Sequence, residues 1–207
     1  MTTSHAQDGV FGQRGNLVAW SRGLFEPDAV NVGEILAATE FAETRFADDI
    51  VFNVMDVSII RLLPDVPYTP LPVALGGLRI GDSVAPQIGD KVFKVGAATG
   101  ITEGTIIAVD LRISMPKPGG NPAWLKGVFE VRGEGDAVFS RRGDSGGIVF
   151  KRRDDATADV VGMIFGSAGQ TTYAFPLRPV LDSFRCRLFA GARKRDRPRP
   201  AARAIPP

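Results

Sequence analysis

Gly143-Asp144-Ser145-Gly146-Gly147 is the stretch on which the reading of this chain turns. A serine hydroxyl is a weak nucleophile until a base takes its proton and fixed donors hold the oxyanion that forms. Glycine on either side lets the main chain turn tightly, which brings the amides of Gly143 and Ser145 toward one point. Ser145 is therefore a candidate nucleophile, and the amides of Gly143 and Ser145 are a candidate oxyanion hole. The plainer reading of the same five residues is a glycine-rich hairpin turn with an incidental serine.

The string also satisfies Gly-x-Ser-x-Gly, the nucleophile elbow of α/β-hydrolases. That elbow needs a helix directly after the serine, whereas Gly146-Gly147-Ile148-Val149-Phe150 has the look of a strand. It also needs a histidine later in the chain, and none follows Ser145. The elbow is rejected.

Outward from this motif the 207 residues hold 24 glycines and 15 prolines, which favours many short strands over long helices. Strands are predicted at Leu17–Trp20, Val30–Phe41, Ile50–Val54, Val57–Leu62, Lys91–Val95, Gly104–Ser114, Trp124–Val131, Ala137–Phe139, Ile148–Lys151, Val160–Phe165 and Thr171–Phe175. Four prolines between Pro64 and Pro72 predict an extended connector. Pro179 suits a first helical turn, and Val180, Leu181, Phe184 and Leu188 make an apolar stripe, so a helix is predicted over 179–190. The pattern is all-β, of barrel or sandwich type.

Composition removes several classes of function. With 44% hydrophobic and 23% charged residues the chain is not mainly disordered, and no run of 18 apolar residues is present. One cysteine, Cys186, forbids an internal disulfide framework and any multi-cysteine metal site, and one histidine, His5, forbids most histidine-bound zinc centres. Residues 191–207 carry six basic side chains and one acid, net +5. Since the whole chain carries +2, residues 1–190 carry −3, which gives no reason to expect nucleic acid on the folded body. The basic 191–207 tail is expected to be disordered, with an acidic surface or nucleic acid as the partners its charge would suit. Residues 1–8 have neither a basic nor an apolar signal region, so the chain as written is expected to stay in the cytoplasm. A signal sequence upstream of Met1 would make it a secreted protein instead.

Gly-Asp-Ser-Gly-Gly resembles the nucleophile motif of the trypsin-like (chymotrypsin-fold) serine proteases. That family orders its triad as His, Asp, Ser. Thr2-Thr3-Ser4-His5 is similar to the strand end carrying its histidine, and Asp56-Val57-Ser58-Ile59-Ile60-Arg61-Leu62 to its aspartate strand, with Ser58 in place of Ala. The intervals, 51 residues from His5 to Asp56 and 89 from Asp56 to Ser145, are close to those the family's topology requires. Lys94-Val95-Gly96-Ala97-Ala98-Thr99-Gly100-Ile101-Thr102-Glu103-Gly104-Thr105 resembles a hairpin of the bacterial, disulfide-free members. Val160–Gly166 with Thr172-Tyr173-Ala174 resembles the closing strands beside the substrate pocket.

The resemblance implies two six-stranded antiparallel β-barrels, an N-terminal one over 1–75 and one carrying the nucleophile over 76–178, then the helix and the tail. The family's strands before the histidine have no counterpart here, so the first barrel is expected to be incomplete. It implies a serine endopeptidase acting on a protein or peptide through an acyl-enzyme. His5 would be the general base, Asp56 its orienting partner, with Asp48 and Asp49 as rivals, and Ser145 the nucleophile. Phe139 and Ser167 would line the pocket, Phe139 standing where trypsin itself has an acid. That argues against Lys or Arg before the scissile bond and for small or apolar side chains. Asp144 would be buried and in need of a partner, with Arg141 and Arg142 nearby in sequence. The alternatives are an inactive pseudoprotease that binds peptides and a serine esterase on the same fold.

Overall fold

The computed structural model describes residues 17–20, 30–39, 50–67, 75–115 and 122–188, with backbone path only for 17–20. His5, Asp48, Asp49, most of the proline-rich connector's second half and the basic tail lie outside the described residues. In chain order the strands are β1 (Leu17–Trp20), β2 (Val30–Ala38), β3 (Phe52–Asn53), β4 (Ser58–Leu62), β5 (Arg79–Ser83) and β6 (Lys91–Gly96). They continue with β7 (Gly100–Met115), β8 (Ala123–Gly133), β9 (Ile148–Asp154), β10 (Thr157–Ala168) and β11 (Thr171–Pro176), followed by helix α1 (Leu177–Ser183).

Six strands close on themselves. β6 pairs β7, β7 pairs β8, β8 pairs β11, β11 pairs β10, β10 pairs β9, and β9 returns to β6, every pairing antiparallel. Closure removes the unpaired edges that an open sheet would expose. The ring is filled by Val92, Ile106, Phe129, Val131, Phe139, Val149, Val161, Ile164 and Ala174, all buried. In the N-terminal half, β1, β2 and β4 form a separate three-stranded antiparallel sheet. β3 leaves that half and lies parallel to β8, Phe52 and Asn53 opposite Trp124 and Leu125.

β10 is buried along nine consecutive residues, Thr157–Phe165. Its Val161 and Ile164 face the barrel interior, while Ala158, Val160 and Met163 join a second cluster with Met55, Val57, Leu75 and Leu177. A strand covered on both faces reads as a continuous apolar run instead of an alternation, and Val160-Val161-Gly162-Met163-Ile164-Phe165 is such a run.

Three expectations are corrected. The helix spans Leu177–Ser183 rather than 179–190. Pro179 sits in its first turn, where no amide donor is needed. Its end is a Schellman arrangement, with Cys186 N–H donating to Leu181 O (2.8 Å) and Arg185 N–H to Asp182 O (3.2 Å), Arg185 being left-handed at φ 51°. Phe184 and Leu188 pack on the second cluster without being helical. Ala137–Phe139 is a loop, because Ala137 N–H turns back to Glu134 O (3.1 Å). β5 was not expected from a segment as polar as Arg79-Ile80-Gly81-Asp82-Ser83. It pairs parallel to β10 and is tied there by Asp82 N–H to Asp159 Oδ1 (2.9 Å) and by Arg153 bridging Asp82 and Asp159.

Candidate active site

Ser145 lies in the loop between β8 and β9, at one end of the closed barrel. Asp144 N–H donates to Arg141 O (3.0 Å), closing a turn in which Gly143 takes the third position at φ 101°. A type II turn requires φ > 0 there, which is why glycine stands at 143. Beyond the serine the loop is sewn onto β10, with Gly146 N–H on Ile164 O (2.8 Å), Ile164 N–H on Gly147 O (2.9 Å) and Gly147 N–H on Asp144 O (2.9 Å). Ser145 is half-buried, and its hydroxyl donates to Phe165 O at 3.3 Å. Among the described residues no acceptor takes the amide of Gly143 or of Ser145. Both donors of the candidate oxyanion hole are thus left for another group.

Asp144 beneath the serine is 1% exposed. Its partner is Lys94 of β6, not Arg141 or Arg142, with Nζ 3.2 Å from Asp144 Oδ2 and both side chains fully buried. The carboxylate also accepts from the Thr99 hydroxyl (2.7 Å) and from the amides of Ala98 (2.9 Å), Thr99 (3.3 Å) and Arg141 (3.0 Å). Lys94 in turn donates to the Thr99 hydroxyl and to Gly100 O (3.1 Å). The Lys94–Thr105 stretch is thereby explained, since its β6–β7 hairpin folds over Asp144 and fixes the loop that presents Ser145. A Cβ at Gly96 would stand 2.7 Å from both Asp144 Cγ and Lys94 Nζ, so only glycine fits beside the pair.

Burial alone would push the Asp144 carboxyl up. The Arg141 amide, the Thr99 hydroxyl, the Ala98 amide and the Lys94 charge outweigh it and hold the group below its ordinary value of 3.8. Burial lowers the Lys94 ammonium below its ordinary 10.5, and Asp144 only partly restores it.

A pocket of about 280 Å³ opens beside Ser145 and is lined by Ser140, Arg141, Arg142, Ile164, Phe165, Gly166 and Ser167. Ser167 is one of the lining residues. Phe139 does not line this pocket. It is fully buried in the barrel core, and its carbonyl accepts from the Thr102 hydroxyl (2.6 Å). Its neighbour Ser140 takes the wall position.

Asp56 follows β3 and is fully buried just before β4. A carboxylate so placed belongs among donors, since an unpaired buried charge is strongly disfavoured. The residue that would join Asp56 to Ser145, His5, lies outside the described residues. Among the described residues no group of three His, Cys, Asp or Glu side chains is set to hold a metal ion. Also among them, no helix is long and apolar enough to cross a membrane.

The sequence reading did not single out Lys94 and Thr99 as the partners of Asp144, nor Ser140 as pocket wall. Lys94 did carry a signal, a lone cation within Val92-Phe93-Lys94-Val95. A charge in so apolar a strand is either on the solvent face or buried with a partner.

A closed antiparallel barrel that offers a serine on a glycine turn beside a pocket defines a class. The chain has the all-β, double-barrel fold of the trypsin-like, chymotrypsin-fold serine proteases. It is similar in structure to Thermobifida fusca Protease A, with a TM-score of 0.61 and 20% identity over 92% of this chain and 83% of that one. It is likewise similar to Cellulomonas bogoriensis chymotrypsin (0.58, 19%, 86% of each chain) and Nocardiopsis protease (0.57, 22%, 89% and 81%). The family described as the Nal1 C-terminal domain matches residues 76–175, the stretch from just before β5 to the end of β11. Among curated proteins nothing matches this chain.

Proposed function

We propose that the protein is a serine endopeptidase that cleaves peptide bonds through an acyl-enzyme. The observation that carries the reading is the 141–144 turn, which offers the Gly143 amide beside Ser145 and is held from beneath by Lys94 and Asp144. Ser145 Oγ attacks the scissile carbonyl carbon, and His5 accepts its proton. The amides of Gly143 and Ser145 hold the oxyanion. His5 then gives the proton to the leaving amine, and water, deprotonated in the same way, releases the acyl group. Buried Asp56 keeps the imidazole in the tautomer that can accept. The substrate is a protein or peptide whose side chain before the scissile bond enters the pocket between Ser140 and Ser167. The chemistry needs no metal or cofactor.

A fluorophosphonate probe tests this reading. It should label the protein once, at Ser145, and fail on Ser145→Ala. His5→Ala should slow turnover to the roughly 10³–10⁴-fold advantage over water that binding and the oxyanion hole supply alone. Absence of labelling in the folded protein would overturn the endopeptidase and leave a peptide-binding module on a protease fold.

A further inference from the structure

We infer that the pocket beside Ser145 selects an acidic side chain, glutamate or aspartate, immediately before the scissile bond. The inference rests on the endopeptidase reading for the identity of the pocket and goes beyond it in naming the substrate. It also replaces the small or apolar preference that Phe139 suggested, since Phe139 is in the core and not in the pocket.

Three observations converge. The first is charge. Of the residues lining the pocket, Arg141 and Arg142 are cationic and none is acidic. Both arginines are exposed, and among the described residues neither meets a carboxylate, whereas Arg61 and Arg178 each pair with one and Arg153 with two. The nearest acid in sequence, Asp144, is buried and committed to Lys94, Thr99 and three amides, so it cannot neutralise them.

The second is an unused donor. Ser140, 3% exposed, and Thr172, fully buried, share a hydrogen bond of 2.7 Å between their hydroxyls. Two hydroxyls own two O–H hydrogens, and their mutual bond consumes one. Among the described residues no acceptor takes the other. Ser140 lines the pocket, so the spare hydrogen is available to a ligand oxygen there, and a carboxylate is the side-chain group with acceptors only.

The third is size. About 280 Å³ is at the low end for a ligand site and suits one side chain. Ile164 and Phe165 offer an apolar wall to the methylene stem, with the hydroxyls and guanidiniums left for the charged end. A lysine or arginine would meet like charge, and an uncharged side chain would leave the spare hydroxyl donor unanswered and gain nothing from the two arginines.

Two measurements on the full chain test this. With peptide amides differing only in the residue before the scissile bond, Glu should exceed Gln, Leu and Lys in kcat/KM by at least tenfold. The Glu/Gln ratio should collapse toward one in Arg141→Gln/Arg142→Gln, a change that loss of folding alone would not produce. In parallel, fluorescent product peptides ending in Glu or Gln are titrated against Ser145→Ala, which reports the pocket without any turnover. Tighter binding of the Glu peptide, weakening with salt and lost in the double arginine variant, supports the assignment. Equal affinities, or Gln, Leu or Lys cleaved as well as Glu, overturn it even where Ser145 is labelled. Failed labelling together with selective Glu binding would instead overturn the endopeptidase and keep the acid-binding pocket.

Discussion

Lys94→Met is the substitution that probes the site's foundation most directly. The side chain is fully buried, and methionine keeps its volume while deleting the charge. At 3.2 Å and an effective dielectric of about 20, the Coulomb attraction lost is roughly 5 kcal/mol. Against this, the variant no longer has to desolvate an ammonium. The balance for breaking one side of a buried pair is about 3–5 kcal/mol. Here the lower end applies, because the carboxylate keeps the Thr99 hydroxyl and three amides. The expected loss is therefore about 3 kcal/mol, or a Tm lower by roughly 6–12 °C for a chain of this size. Denaturant unfolding at pH 7 measures it, with Lys94→Met/Asp144→Asn as the control. Removing the orphaned charge should recover at least about 1 kcal/mol, since a buried pair replaced as a unit is often nearly neutral. The deficit of the single variant should also shrink in acid, as Asp144 becomes neutral in both proteins. A single variant within about 1 kcal/mol of wild type, or a double variant no more stable than the single, would refute the argument that Lys94 exists to compensate Asp144.

The remaining predictions concern the same loop. Gly143→Ala puts a Cβ at φ 101° and 3.3 Å from the Ala98 Cβ, so the peptide carrying the oxyanion donor should reorient. The kcat should fall about 10²–10³-fold with Ser145 still in place, as judged by peptide hydrolysis beside circular dichroism. Gly96→Ala forces its methyl against the Lys94–Asp144 pair, whose atoms are pinned on every side. It should cost about 1–3 kcal/mol in urea unfolding, although Gly96 does not line the pocket beside Ser145. The Asp144 carboxyl is held below 3.8 in the folded state, so its contribution is complete above that pH and is lost as pH falls through the folded value. Acid unfolding of the wild type should therefore be steeper below pH 4 than that of Asp144→Asn, which lacks this titration.

The legible part of the molecule was the part encoded locally. Gly143 and Gly146 stand at φ 101° and 86°, and a motif spaced by glycines at positive φ announces its own backbone. Strands with apolar periodicity, such as Lys91–Gly96 and Ile148–Asp154, were likewise visible. What escaped depends on contacts between distant residues. Lys94 and Asp144 lie 50 positions apart, and nothing local says that the β6–β7 hairpin folds over the serine loop. Phe139 was assigned by its offset from Ser145, yet offset does not tell which side of the chain faces the core. β5 is a strand because Asp159 and Arg153 grip Asp82, not because its own residues favour one. The helix ended early because Arg185 adopts a conformation usually left to glycine.

These contacts also divide the work of the site. Ser145, the two amides, the pocket and the Lys94–Asp144 pair all sit on the closed ring of β6–β11, whose every strand is paired on both sides. A loop that keeps two amides without an acceptor is costly, and it persists only where its surroundings over-determine it. Here β10 fixes the loop from one side through Gly146, Gly147 and Ile164, and the β6–β7 hairpin fixes it from below through Asp144. In the proposed mechanism the base and its orienting acid would come from elsewhere in the chain, His5 from its start and Asp56 from the β3–β4 segment. On that mechanism binding geometry and proton transfer are separately built. On that division, substitutions at the pocket residues Arg141 and Arg142 should change what is held and how tightly, and substitutions at His5 or Asp56 should change how fast it is cut.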